Sequence, residues 1–135
     1  MENSKGVGTI INRDVIIDII RSEDWRKTAK YLRELKRDLM EGFEKLNECL
    51  SCPANAIFCA EVERLVGSYN RALLAVLMLR CFLNETSNVV EDGELREELN
   101  GVLQVTNNLI VFLNEKHELV HQLVRKCRSV WGDPA

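Results

Sequence analysis

Two histidines one helical turn apart are the residues with the clearest potential for chemistry in this sequence. His117 and His121 enclose Glu118 in the stretch HELVH, which satisfies the pattern H-E-x-x-H. In zinc peptidases both histidines of this pattern bind the metal, and the glutamate acts as general base. A catalytic zinc also needs a third protein ligand, and no His or Glu follows His121. Cys127 stands where some families place that ligand, but on an unbroken helix it faces away from the histidines, so we do not predict a peptidase.

A structural zinc site is the alternative chemistry that the spacing allows. The stretch CLSC has the C-x-x-C spacing of a zinc half-site, and the two histidines offer a complementary pair. In an up-down-up bundle, the connector that follows CLSC lies at the same end as the histidines. The alternative hypothesis is therefore a zinc protein with the ligands Cys49, Cys52, His117 and His121, and with Cys59 and Cys127 as spare ligands.

Cysteine number and the absence of targeting patterns indicate the compartment. Five cysteines are an odd number, and several lie in apolar helical stretches, as reduced thiols of intracellular proteins commonly do. The N-terminus lacks the pattern of a signal peptide, and no run of about eighteen uncharged apolar residues predicts a membrane span. We expect an intracellular protein, cytoplasmic or nuclear. The sequon Asn84-Glu85-Thr86 leaves a secreted, cytokine-like bundle as an alternative.

Helices are the elements that position these residues, because long stretches contain no proline or glycine. Apolar side chains recur at alternating steps of three and four residues, which is typical of a helix with one buried stripe. This spacing predicts a helix from Ser22 to about Leu50, a second that begins at Pro53, and a third from near Glu94 to Trp131. His117 falls on the apolar stripe of the third.

The predicted fold class is all-α, an antiparallel helical bundle of three long helices plus a short N-terminal helix. Residues 10–131 are expected to form a single helical-bundle domain, because a chain of this length builds one core. A flexible N-terminal tail is predicted at 1–9 and a C-terminal tail at 132–135.

More apolar surface is predicted than the bundle can bury. From Ala72 to Leu83 every residue but Arg80 is apolar, so this part of its helix is surrounded by neighbours or covered by a partner. Self-association would cover this surface, because in a two-fold pair each copy buries the same apolar patch against the other. The candidate partner-binding residues of this apolar set are Leu73, Leu77, Met78, Phe82, Val124 and Trp131.

A basic stripe follows the first long helix, and its residues complete the candidate partner-binding set: Arg26, Lys30, Arg33 and Arg37. The simplest interpretation is a solvated face that pairs with acids, since Glu91, Asp92, Glu94, Glu97 and Glu98 stand at the same end of the bundle. The net charge of −3 also lacks the basic excess of a nucleic-acid binder. A nucleic-acid-associated factor is therefore only the third hypothesis.

These patterns favour a non-enzymatic protein–protein interaction module. We expect a small helical subunit or adaptor of a larger intracellular complex, which binds another protein or itself, most simply as a homodimer. We expect no catalytic residues, no small-molecule substrate, and no cofactor unless the zinc hypothesis holds.

Overall fold

The computed structural model describes residues 13–86 and 89–132, and the predicted N-terminal tail at 1–9 lies outside them, as does the predicted C-terminal tail beyond Gly132. The fold class is all-α, as predicted: the described residues form helices and no strand. There are five of these helices, which we number in chain order: α1 Arg13–Ser22, α2 Trp25–Glu48, α3 Ala56–Thr86, α4 Gly93–Glu115 and α5 His117–Cys127.

The start of α2 is set by an aspartate. Asp24 has extended backbone angles, and its side chain accepts a hydrogen bond from the Lys27 amide at 3.2 Å. This bond satisfies one of the amide groups that a helix start leaves without a partner. Ser22, predicted to begin this helix, instead ends α1. The buried Trp25 indole donates to the Ile20 carbonyl at 2.7 Å and ties α1 to α2.

The connector between α2 and α3 is longer than predicted. Asn55 precedes α3, and its side-chain oxygen accepts the Phe58 amide at 2.8 Å. The prediction that Pro53 is the first residue of this helix is wrong, because Asn55 provides a side-chain acceptor at the helix start and proline has none.

The core lies where α4 packs against both α2 and α3. The predicted apolar stripes supply it, and the buried residues of these three helices include Leu32, Leu39, Phe43, Val62, Tyr69, Val76, Leu83, Leu99, Val102, Leu109 and Leu113. Lys36 interrupts the stripe of α2 and is half-buried. Its Nζ lies 5.8 Å from the centre of the Phe112 ring, so the cation is placed over an aromatic face.

The predicted third long helix is two helices. A turn at Lys116 separates α4 from α5, and helical structure ends at Cys127 rather than at Trp131. The Lys116 amide donates to the carbonyls of Phe112 and Leu113 at 3.1 and 3.2 Å, and such short-range bonds tighten the last turn of a helix. The Lys116 side chain is half-buried, with Nζ 5.6 Å from the Phe112 ring centre.

Candidate functional site

The two histidines lie at the start of α5 and face solvent. His117 was predicted on the apolar stripe, but the structure exposes it, whereas the adjacent Lys116 is half-buried. The Nε2 atoms of His117 and His121 are 3.2 Å apart, and the ring planes meet at 84°. The Glu118 carboxylate pairs with the Arg125 guanidinium, at 3.7 Å.

The two predicted zinc half-sites do not meet. In the described part of the chain, no group of three or more His, Cys, Asp or Glu side chains is close enough to hold one metal ion. Cys49 and Cys52 lie just after α2, with the Cys52 amide donating to the Cys49 carbonyl at 3.0 Å. A hydrogen bond with the Cys52 side chain is the main cause that raises the pKa of the Cys49 thiol. This environment disfavours the thiolate, which is the form that binds metal or reacts.

The spare ligands are bonded to each other. Cys59 and Cys127 form a disulfide that joins the first turn of α3 to the last residue of α5 across a sequence separation of 68, and both are fully buried. The prediction of reduced thiols is wrong for this pair, because the packing of α5 on α3 brings the two residues together. The free cysteines of the described chain are Cys49, Cys52 and Cys81.

The apolar face predicted on α3 is present but consists partly of other residues. Leu77 and Met78 are exposed, at 37% and 64%. Leu73 and Phe82 are only half-buried and pack against the core, so they contribute less surface than predicted. Leu74 was not among the predicted partner-binding residues, and it is 62% exposed. Its position one turn before Met78, off the buried stripe, was the available signal.

The other predicted apolar residues lie at a different end of the molecule. Val124 is half-buried, and Trp131 is 39% exposed beyond the end of α5. The disulfide fixes Cys127 beside Cys59, and Leu77 stands about 27 Å further along α3, from a helical rise of about 1.5 Å per residue. Trp131 and Leu77 therefore belong to two separate surfaces.

The basic stripe of α2 faces acids of α4. The Arg26 guanidinium is 3.4 Å from the Glu98 carboxylate and 4.0 Å from that of Glu94. Arg33 lines the same shallow groove of about 340 Å³ between the two helices. Arg37 pairs with Asp38 at 3.8 Å, whereas Lys30 is exposed. The stripe is thus partly neutralised within the molecule, although such exposed ion pairs contribute little to stability.

A second groove, of about 670 Å³, lies between α2 and α3 and was not predicted. Its floor includes Leu39 and Leu65, and its rim carries charges of both signs such as Lys45 and Glu61. Gly42 allows the two helices to approach here, because a Cβ at this position would lie 3.0 Å from Leu65 Cδ1.

Among the described residues, α3 is the one helix whose length and composition would suffice to cross a membrane, so the prediction of no membrane span is not confirmed. Core helices of soluble bundles share these two properties but are mostly buried, whereas 17% of the most apolar window of α3 is buried, although the helix carries core residues such as Val62, Val76 and Leu83. No protein-family model, curated protein or solved structure matches this chain.

Proposed function

We propose that this protein is a non-enzymatic interaction module that pairs with a second copy of itself through one face of α3. We call this the outer face of α3 and define it by the exposed residues Leu74, Ala75, Leu77, Met78 and Cys81. The observation that supports the proposal is the exposure of Leu74 and Met78, at 62% and 64%, one helical turn apart.

Burial of this face would be favourable. A fully buried leucine or methionine side chain contributes about 1.5–3 kcal/mol relative to an exposed one. Adjacent exposed apolar residues form a patch, and patches with a polar rim are typical of protein interfaces. Arg71 and Glu85, both exposed, bound the outer face at its two ends.

The position of these two charges favours a second copy as the partner. Met78 stands midway between Arg71 and Glu85 in the sequence. If two α3 helices pair in opposite directions across a two-fold axis at Met78, Arg71 of each copy meets Glu85 of the other. A two-fold interface is self-complementary in this way, so each charged pair occurs twice.

Multi-angle light scattering after size exclusion tests the pairing. We expect a concentration-dependent dimer, and Leu74→Glu or Met78→Glu to give a monomer because each places a charge in the apolar interface. Tyr31→Glu is the matched control: Tyr31 has the same 62% exposure on α2, and its substitution should leave the dimer intact. A monomer at every concentration contradicts the proposal.

A charge swap tests the antiparallel arrangement. Arg71→Glu and Glu85→Arg should each weaken the dimer, because each single change brings like charges together at both ends. The double variant restores opposite charges and should recover dimer formation. If the double variant is weaker than both single variants, the two residues do not face each other across the interface.

The predicted intracellular location stays a prediction. The buried Cys59–Cys127 disulfide is at odds with it, since disulfides persist mainly in oxidising compartments. The sequon offers the secreted alternative little support, because it lies within α3 and the buried Thr86 hydroxyl donates to the Phe82 carbonyl at 2.7 Å. Alkylation of thiols in cells before lysis would show whether this disulfide is present there.

A further inference from the structure

We propose that His117 and His121 alone form a binding site for one divalent first-row transition metal ion such as Zn²⁺ or Ni²⁺. The site is separate from the outer face of α3 and does not depend on dimer formation. It differs from the zinc site predicted from sequence, because it uses neither Cys49 nor Cys52.

The separation of the two ring nitrogens carries the proposal. Imidazole nitrogens bind zinc at about 2.0–2.1 Å, so two nitrogens on one ion lie about 2.8–3.4 Å apart for angles between square and tetrahedral. The Nε2 atoms of His117 and His121 are 3.2 Å apart in a ring-to-ring hydrogen bond, and this separation lies inside the interval. Metal binding would replace that hydrogen bond, with the bridging proton moved to Nδ1 of the donor ring. Both side chains are exposed, so the rings are free to turn and aim both Nε2 lone pairs at one ion.

The neighbouring cations have other partners. The Lys116 Nζ lies over the Phe112 ring, and the Arg125 guanidinium is 3.7 Å from the Glu118 carboxylate. The backbone also supports the geometry, since a regular helix holds side chains four residues apart on one face. The remaining coordination positions of the ion are open to water or to a ligand from a partner.

Titration with ZnCl₂ or NiCl₂ followed by NMR tests the site directly. The chain contains only two histidines, so each gives one resolvable ring Hε1 signal. The protein should carry Cys49→Ser, Cys52→Ser and Cys81→Ser, which removes the free thiols as competing ligands. We expect both ring signals to change together and saturate at one ion per chain.

A displaced histidine gives the matched control. The double variant His121→Gln with Gln122→His keeps two histidines but moves the second one about 100° around the helix. Affinity should fall by about tenfold or more, because the ion then has one imidazole within reach. If this variant binds as tightly as its parent, or if the parent shows no change at millimolar metal, the proposal is wrong.

Discussion

The hydroxyl of Tyr69 on α3 donates a hydrogen bond to the backbone carbonyl of Leu113 on α4, at an oxygen–oxygen distance of 2.7 Å. The same carbonyl accepts the Lys116 amide at 3.2 Å. Both lone pairs of this oxygen are therefore used where α4 ends. Tyr69 thus stabilises the turn between α4 and α5, and the turn positions the helix that carries the two histidines.

Replacement of Tyr69 by phenylalanine tests this relationship. The ring should keep its edge-on contact with Phe43, whose centroid is 5.9 Å away, so the variant removes only the hydroxyl donor. We expect the free energy of unfolding to fall by about 1 kcal/mol, since the Leu113 carbonyl retains its bond from Lys116. Urea denaturation followed by circular dichroism measures the change. A stability equal to that of the wild type would contradict the role of the hydroxyl.

Alkaline pH should lower the stability of the folded protein through ionisation of Tyr69. Burial raises the pKa of Tyr69 above its ordinary value of 10.0. The folded state therefore favours the protonated phenol. Its contribution to stability is complete below pH 10 and is lost as the pH rises through the higher pKa of Tyr69 in the folded state. The melting temperature should fall above pH 10 more steeply in the wild type than in Tyr69→Phe. Melting temperatures that fall equally with pH in the two proteins would contradict this role of Tyr69.

The disulfide should contribute strongly to stability. Cys59 and Cys127 are 68 residues apart in sequence, and a closed loop of this size stabilises a protein by about 2–5 kcal/mol through restriction of the unfolded chain. Thermal unfolding with and without dithiothreitol should show a lower melting temperature after reduction. Cys127→Ser should reproduce the loss without reductant.

A free thiol after α2, away from the outer face of α3, provides the control for the disulfide. Cys52→Ser should leave the melting temperature unchanged, because this residue is free and exposed. Alkylation of the unfolded, unreduced protein should modify three cysteines, namely Cys49, Cys52 and Cys81. Modification of all five without reductant would show that the disulfide is absent.

The helices and most of the core could be predicted because both depend on local spacing. Trp25, Leu32 and Phe43 recur at helical steps and are all buried. The close approach of His117 and His121 is equally local, since four residues make about one turn. The spacing of residues along one helix was therefore predicted correctly, although the first residues of α2 and α3 were not.

The errors at the helix starts are local, because the caps Asp24 and Asn55 decide them, whereas the larger errors involve contacts between residues distant in sequence. The turn at Lys116 coincides with a hydrogen bond between Tyr69 and Leu113, which are 44 residues apart. The disulfide depends on how α5 packs against α3, and five cysteines allow too many pairings for spacing to decide. The exposure of Leu74 likewise depends on which side of α3 faces the bundle.

The basic stripe should have little affinity for nucleic acid. Arg26 is already within 3.4 Å of Glu98, so a phosphate would have to displace a carboxylate. We expect weak retention on immobilised DNA with a shallow dependence on salt, since few counterions would be released. Glu98→Gln should increase retention if this pairing is what masks the stripe. A steep salt dependence in the wild type would contradict this prediction and favour the nucleic-acid hypothesis.

Two glycines inside helices should respond differently to replacement by alanine. Gly101 on α4 is exposed, and nothing lies within 4 Å of a Cβ added there. Gly101→Ala should therefore raise the free energy of unfolding by about 0.5–1 kcal/mol, through the helix preference of alanine. Gly42→Ala gains the same preference but brings its Cβ to 3.0 Å from Leu65 Cδ1.

Leu65 is half-buried at the edge of the groove between α2 and α3, so it can shift only at the expense of its packing. We therefore expect Gly42→Ala to be less stable than Gly101→Ala by up to about 1 kcal/mol. The double variant Gly42→Ala with Leu65→Ala removes the clashing Cδ1 atom. A double-mutant cycle with the two single variants then measures the free-energy cost of this contact. Equal stabilities of the two alanine variants, with no coupling to Leu65, would show that α2 and α3 are not held this close at Gly42.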